Sequence, residues 1–142
     1  MSGVTERLVL DGSLTLAWYF SDETDPYADA VALGLATRQA VVPSLWRLEI
    51  ANTLVVVERR KRSTEAQAAA FIARLQVLPI VIDDETDVRA WSETIRLARA
   101  HTLSAYDAAY LELAMRRGLP LASLDDELKA AAKAVGVPLF TV

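Results

Sequence analysis

Short apolar segments alternate with segments of helical composition along the whole chain. Five of these apolar segments have the length of buried strands: residues 7–10, 40–43, 78–82, 121–124 and 137–142. Parallel strands need long crossover connections, which helices commonly provide, so the alternation indicates a mainly parallel sheet. We therefore predict an α/β fold of three layers, with helices on both faces of a short-stranded central sheet. The proline at position 79 places the start of the third strand at a sheet edge.

Length and composition indicate one domain with a hydrophobic core. The 142 residues are 53% hydrophobic and 24% charged, and they contain no repeat or linker-like segment, so residues 1–142 are expected to form a single domain. No apolar run approaches the roughly 18 to 20 residues of a membrane span. The first seven residues also lack the apolar core of a signal peptide, so we expect a cytoplasmic protein without membrane contact.

Polar residues mark the starts of several predicted helices. Ser13 and Ser44 precede helical patterns and are expected to act as caps, the second for a helix over residues 45–60. Residues 64–67 have the spacing of a capping box at the start of the next helix. Residues 85–99 are amphipathic and are predicted to form one continuous helix.

Two carboxylates lie on the apolar sides of their own predicted helices. At 100° per residue, Glu49 shares a helix face with Trp46. By the same count Asp107 lies beside Tyr110 and Leu111 on its helix. A buried, unpaired carboxylate costs several kcal/mol or becomes neutral through a raised pKa, so both acids are expected to have a compensating partner.

Two further carboxylates, Asp11 and Asp125, stand where predicted strands end. Ligands of open α/β sheets bind at the carboxyl ends of the strands, so these acids are expected at the same edge as a binding site. Four acids in one pocket would repel one another unless a cation lay between them. With no cysteine and one histidine the ligands must be oxygens, which select Mg²⁺ or Mn²⁺. The hypothesis is a metal site of Asp11, Glu49, Asp107 and Asp125.

Each acid also has an ordinary structural interpretation. Asp11 could be only a helix-start or turn residue, and Asp125 could be a helix N-cap in competition with Asp126. Glu49 could pair with a buried arginine, and Asp107 could interact only with its helix dipole. These alternatives stay open at the level of sequence.

The remaining titratable residues are interpreted as structural. His101 lies near the end of a predicted helix and is interpreted as a C-terminal cap. The acidic residues within 83–87 are interpreted as charges of a loop and of a first helical turn. Glu112 and Arg116 lie on the side of their helix opposite Asp107.

The formal net charge of −4 at first disfavours binding to nucleic acid. If the four acids form one site, however, the rest of the chain is neutral overall, and local charge decides. The densest basic run is Arg59, Arg60, Lys61 and Arg62. It is either a patch that contacts nucleic acid or an ordinary helix end, where cations interact favourably with the dipole.

Three segments of the chain, taken in order, resemble PIN-domain proteins between residues 8 and 139. The opening strand, aspartate and turn of that family are resembled by LVLDGSLTLAWYF. Its second acidic helix is resembled by PSLWRLEIANTL. Its remaining two acids and last helix are resembled by LSAYDAAYLELAMRRGLPLASLDDELKAAAKAVGV. The resemblance implies a PIN-like fold with Asp11, Glu49, Asp107 and Asp125 as catalytic, metal-binding acids. It also implies supporting roles for Ser13, Asn52 and Ser123, and it makes Asp126 a competitor of its neighbour as the fourth acid.

Within this family, the compact length and the helix WRLEIANTL look most similar to VapC-type toxins. That resemblance implies a Mg²⁺-dependent endoribonuclease, with Mn²⁺ as an alternative ion, that inhibits translation as the toxin of a type II toxin–antitoxin pair. The implied partners are structured RNA such as tRNA or rRNA, a cognate VapB-like antitoxin and a second copy of the chain. The helix over residues 45–60 is apolar nearly all round, which independently favours assembly.

Two other functions are compatible with parts of the sequence. One is a catalytically silent PIN-like binding domain, in which the acids serve structure or partner contact. The other is a haloacid-dehalogenase-like phosphatase, because residues 11–15 imitate its nucleophile motif. The phosphatase is disfavoured by Ser13, which stands where that motif carries its acid/base aspartate.

Overall fold

The computed structural model describes residues 6–20 and 24–142. The strands are β1 (Arg7–Leu10), β2 (Gln39–Pro43), β3 (Ile80–Asp83) and β4 (Leu121–Ala122). The helices are α1 (Gly12–Ala17), α2 (Pro26–Gly34), α3 (Trp46–Arg59), α4 (Glu65–Gln76), α5 (Thr86–Arg89), α6 (Ile95–His101), α7 (Ala105–Arg117) and α8 (Asp126–Ala134). A π-helical turn, Ala90–Thr94, joins α5 to α6.

The four strands form one sheet in the order β3-β2-β1-β4, and all their pairings are parallel. Consecutive residues of β1 and β2, such as Leu8, Val9 and Val41, Val42, are all fully buried. Because consecutive strand residues point to opposite faces, this burial means that helices cover both faces. The predicted three-layer α/β architecture is confirmed.

The edges of the sheet explain one confirmed and one wrong prediction. Strand β3 lies at an edge, as the proline at its start indicated. The predicted last strand over residues 137–142 is wrong, because only Leu139 pairs, through an isolated parallel bridge to Leu121. A longer strand could not pair there, because its neighbour β4 is only two residues long before the chain continues into α8.

The helix starts agree only in part with the predicted caps. The capping box of Thr64 and Gln67 is present at α4. Asp11, not Ser13, caps α1, because the Asp11 carboxylate accepts a hydrogen bond from the Leu14 amide. Helix α3 begins after a turn without any side-chain cap, so the predicted role of Ser44 is also wrong. The segment predicted as one helix over 85–99 is divided by the π-helical turn.

Helix α7 is the most deeply buried helix of the described chain. Its residues from Ala108 to Ala114 are all buried, and it packs against β1 and β2. This packing holds the first turn of α7 in a fixed position relative to the sheet. None of the helices in the described parts of the chain has the length and apolar surface to cross a bilayer.

Candidate active site

Asp11 follows β1 directly and is only 3% exposed. Its carboxylate accepts hydrogen bonds from the Leu14 amide at 3.0 Å, from Ser123 Oγ at 2.5 Å and from Ser13 Oγ at 2.8 and 2.9 Å. Ser13 Oγ also accepts the Leu124 amide at 3.1 Å, which ties α1 to the end of β4. Both oxygens of the carboxylate are therefore held in place by neutral donors.

Within the described part of the chain, no cation compensates the charge of Asp11. In residues 6–20 and 24–142, no lysine, arginine or histidine forms an ion pair with this carboxylate. Burial raises the pKa of Asp11 to about 6, although its hydrogen bonds act in the opposite direction, and repulsion from Asp107 adds to the rise. At neutral pH the site therefore carries a buried anion for which residues 6–20 and 24–142 supply no counter-charge.

Glu49 lies in the first turn of α3, close to Asp11. The indole of Trp46 donates to Thr15 Oγ1 at 3.1 Å, and the Thr15 hydroxyl donates to the Asp11 carbonyl oxygen at 2.8 Å. These bonds hold α3 against α1. A Cβ atom at Gly12 would lie 3.0 Å from Glu49 Oε2, so the missing side chain provides the space that this carboxylate occupies.

The polar partner of Glu49 is the hydroxyl of Tyr110, which donates a hydrogen bond to Oε1. Burial raises the pKa of Glu49, and the charges of Asp107 and Asp11 raise it further, against the effect of the Tyr110 bond. Within the described residues no arginine pairs with Glu49, so a buried ion pair does not explain its inward position.

Asp107 is half-buried in the first turn of α7, where its amide donates to the capping hydroxyl of Ser104 at 3.1 Å. Burial raises the pKa of Asp107, and repulsion from Asp125 and Glu127 adds to this rise. Since Asp107 in turn raises the pKa values of Asp11 and Glu49, it interacts electrostatically with all three other acids. The structure thus brings the four acids into one region at the carboxyl edge of the sheet.

The two neighbouring candidates for the fourth acid have different environments. Asp125 caps α8, accepting the Leu128 amide at 2.8 Å, and its own amide donates to Ser123 Oγ at 2.9 Å. The side chain of Asp126 is 96% exposed and pairs with Lys129 at 3.4 Å. The geometry therefore favours Asp125, although this residue is also an ordinary N-cap.

The remaining predicted residues differ in their proximity to the acids. Ser13 and Ser123 contact Asp11 directly, whereas Asn52 is exposed and forms no hydrogen bond with any acid in the described residues. All four residues of the basic run from Arg59 to Arg62 are exposed, at the far end of α3. Arg59 stands ten positions after Glu49 on this helix, which corresponds to about 15 Å along the helix axis. Its contact with nucleic acid stays a prediction.

The donor set fits a hard divalent cation that keeps part of its hydration. Within the described residues, no three carboxylate or imidazole groups form a compact cluster that could hold a metal ion by themselves. Mg²⁺ usually retains several waters and takes only one or two protein carboxylates, so it does not need such a cluster. The buried, uncompensated carboxylate of Asp11 and the all-oxygen surroundings match this kind of ion.

Sequence reasoning missed two kinds of residue. Tyr110 was interpreted only as an apolar neighbour, and nothing in the sequence shows that its hydroxyl reaches another helix. Asp83 was interpreted as a loop charge and Glu112 as lying on the outer side of its helix, but both are buried and bound to Arg116. The one available signal was the spacing of four residues between Glu112 and Arg116, which is typical of a helical ion pair.

Replacing Asp11 by asparagine is expected to stabilise the metal-free protein at neutral pH. The raised pKa means that the folded wild-type protein binds a proton at Asp11 more tightly than the unfolded state does. The stabilisation that this proton provides is complete below pH 4 and is lost as pH rises through 6. Asparagine removes the buried charge, which we expect to increase the free energy of unfolding by about 1 to 3 kcal/mol at pH 7.5. The measurement is urea denaturation in EDTA.

The same denaturation at pH 4 supplies the internal control for Asp11→Asn. There the wild-type carboxyl is already protonated, so the two proteins should have nearly equal stability. Asp126→Asn, at an exposed carboxylate, should show no comparable dependence on pH. If Asp11→Asn lowered the free energy of unfolding equally at both pH values, this would contradict the expected cost of burying the Asp11 charge.

Comparison with known proteins agrees with this architecture. The sequence matches the family model of the PIN domain over residues 8–134, and a search of the curated proteins found no match. PAE2754 from Pyrobaculum aerophilum is similar in structure, with a TM-score of 0.64 and 22% identity over 92% of this chain and 87% of that protein. FitAcB from Neisseria gonorrhoeae has a TM-score of 0.64 at 15% identity, over 94% and 96% of the two chains.

A third similar structure is VapC20 from Mycobacterium tuberculosis, described as a sarcin-ricin loop cleaving toxin. Its TM-score is 0.58 at 16% identity, over 87% of this chain and 94% of that protein. At these identities the structural likeness concerns the fold. The family model, however, covers most of the chain and includes all four acids, so this chain belongs to the PIN-domain family.

Proposed function

We propose that this chain is an endoribonuclease that depends on a divalent metal ion. The observation that carries the proposal is the buried carboxylate of Asp11, which has a raised pKa and no counter-ion within the described residues. Its electrostatic neighbours are other acids, and they meet at the carboxyl edge of a parallel sheet, where ligands of such folds bind. Membership of the PIN-domain family supports hydrolysis of phosphodiester bonds as the reaction.

The residues that would hold the ion are Asp11 and Asp107, together with Asp125 and Glu49 at the sides of the site. When bound, Mg²⁺ or Mn²⁺ supplies Lewis acidity toward the phosphate and makes water more acidic. Asp11 contributes two oxygens that Ser13 and Ser123 hold in fixed directions. Glu49 keeps Oε2 free of Tyr110, and that oxygen is available to orient a water molecule or accept its proton.

RNA is the proposed substrate, and tRNA or rRNA the proposed class. The description of VapC20 as a toxin that cleaves the sarcin-ricin loop supports this choice. The basic run from Arg59 to Arg62 would contact the phosphates away from the reacting bond. We further propose that the chain is the toxin of a toxin–antitoxin pair, which inhibits translation and is neutralised by a VapB-like partner in the cytoplasm.

Assembly with a second copy is supported by the surface of α3. Only one side of this helix, with Trp46, Ile50 and Leu54, is buried in the monomer. Leu48 is 75% exposed and Val55 is 39% exposed, which is unfavourable for a helix that stays in contact with water. We propose that a homodimer covers these side chains.

The proposed function is tested by incubating the purified protein with total cellular RNA in Mg²⁺, in EDTA, and in EDTA followed by excess Mn²⁺. Discrete cleavage products are expected in Mg²⁺, none in EDTA, and recovery with Mn²⁺. RNA that stays intact while the protein binds Mn²⁺ would instead favour a catalytically silent binding domain. Release of phosphate from small phosphomonoesters without RNA cleavage would favour the phosphatase, whose motif Ser13 does not complete.

A further inference from the structure

Tyr110 connects α7, which carries Asp107, to α3, which carries Glu49. Its side chain is fully buried, and its hydroxyl donates to Glu49 Oε1, the one hydrogen bond that the described residues give to this carboxylate. Tyr110 also lies three residues after Asp107, so the two side chains occupy neighbouring positions on one face of α7. Tyr110 therefore fixes Glu49 relative to α7, the helix that carries Asp107.

The absence of a side chain at Gly12 leaves room for the same carboxylate. The nearest heavy atoms to a Cβ at this position would be Glu49 Oε2 at 3.0 Å, Cδ at 3.3 Å and Oε1 at 3.4 Å. The Glu49 carboxylate thus occupies space that any larger residue at position 12 would fill. A glutamate side chain has several rotatable bonds, and the hydrogen bond from Tyr110 restricts their freedom.

We propose that Tyr110 is a positioning residue, whose hydroxyl holds Glu49 where it can face the ion or its water, and that Gly12 keeps the space open for it. This inference rests on the proposed metal-dependent function. The positioning is needed because Glu49 is repelled by Asp11 and Asp107, so without the Tyr110 bond its carboxylate would turn away from them before an ion arrives. Partners that orient metal ligands in this way are commonly worth a factor of 10 to 100 in metal affinity.

The test measures Mn²⁺ affinity by calorimetry for Tyr110→Phe, which removes only the hydroxyl. We expect affinity about 10-fold weaker than in the wild type, with cooperative unfolding retained. Tyr106→Phe is the matched control, because Tyr106 lies on the same helix and is 67% exposed, and it should bind Mn²⁺ as the wild type does. Unchanged affinity in Tyr110→Phe would overturn the proposal.

A double-mutant cycle with Glu49→Gln separates positioning from a general effect on packing. If Tyr110 acts through Glu49, then adding Tyr110→Phe to Glu49→Gln should change Mn²⁺ affinity by less than about 2-fold. A further loss of about 10-fold in that background would mean that the hydroxyl supports α7 rather than Glu49, and would overturn the proposal.

Gly12→Ala provides an independent displacement of the same carboxylate. The added Cβ would displace only the end of the flexible Glu49 side chain, so this variant should still unfold cooperatively, while its Mn²⁺ affinity falls. A variant with wild-type affinity would contradict the role of Gly12. If the wild-type protein binds Mn²⁺ but cleaves no RNA, the proposed function fails, whereas the affinity measurements still decide the role of Tyr110.

Discussion

Replacing Asp107 by asparagine is expected to reduce RNA cleavage by roughly 1,000-fold or more, equivalent to about 4 kcal/mol of transition-state stabilisation. Asp107 is the acid whose charge affects the pKa values of both Asp11 and Glu49, and its own pKa is raised by burial and by the charge of Asp125. Removing its charge therefore weakens the negative potential that would attract the ion. The measurement is the initial rate of cleavage of a defined RNA in saturating Mg²⁺.

The fold of the Asp107→Asn protein should be preserved. The helix start at α7 depends on the amide of residue 107, which donates to Ser104, and asparagine retains this amide. The matched control is Asp126→Asn, which removes an acid at an exposed position and should cleave RNA at the wild-type rate. Undiminished cleavage by Asp107→Asn would refute the assignment of Asp107 to the metal site.

The sequence was sufficient to predict the architecture because the architecture depends on local patterns. The alternation of short apolar strands with helices is visible in the residues themselves, and so is the position of β3 at an edge. The four acids could be proposed for a related reason. Glu49 and Asp107 are polar residues on apolar helix faces, and such an inconsistency between local pattern and burial is typical of functional sites.

The contacts that hold those acids could not be predicted in the same way. The bond from Tyr110 to Glu49 joins residues 61 positions apart, and it depends on how α7 crosses the sheet and α3. The sequence assigned the cap of α1 to Ser13 and left Asp11 as a possible helix-start or turn residue, and only the backbone geometry decides between them. Tertiary packing therefore determines which of several chemically suitable neighbours makes each bond.

The largest expected effect on stability follows from replacing Arg116 by methionine. Arg116 is 13% exposed, binds both oxygens of fully buried Asp83 and both oxygens of Glu112, and contacts Glu85 at 3.0 Å. Without it, Glu112 would be a buried carboxylate with no cation bound to it in the described residues. Breaking a buried ion pair costs about 3 to 5 kcal/mol, which lowers the melting temperature by about 10 °C in a chain of this size.

Two companion variants assign this loss to the buried charges. Arg96→Met removes an exposed pair with Glu93 and should cost less than about 1 kcal/mol. Adding Glu112→Leu to Arg116→Met should recover part of the lost stability, because it removes the carboxylate left without a partner. The free energies of unfolding come from urea denaturation at pH 7.

The ion pairs of Arg116 with Asp83, Glu85 and Glu112 form a network, and the pH dependence of its stabilising effect can be tested through Asp83. Burial acts to raise the pKa of Asp83, but the hydrogen bonds and charge of Arg116 and the hydrogen bond of Arg117 outweigh it and lower the pKa to about 2. A depressed pKa means that the ion pairs stabilise the fold above pH 4 and that this contribution is lost as pH falls through 2. The difference between the wild type and Arg116→Met should therefore shrink below pH 3.

The Arg116 network and the candidate metal-binding acids lie at opposite ends of α7, so their effects on stability and on metal affinity should be separable. Nine residues from Asp107 to Arg116 correspond to about 14 Å along the helix axis. Arg116→Met should therefore lower stability while the folded protein keeps its Mn²⁺ affinity, whereas Asp107→Asn should do the reverse. If Arg116→Met costs no more than Arg96→Met, then the ion pairs of Arg116 contribute little, and α7 is attached to the end of β3 by apolar packing and by the pair of Arg117 with Asp83.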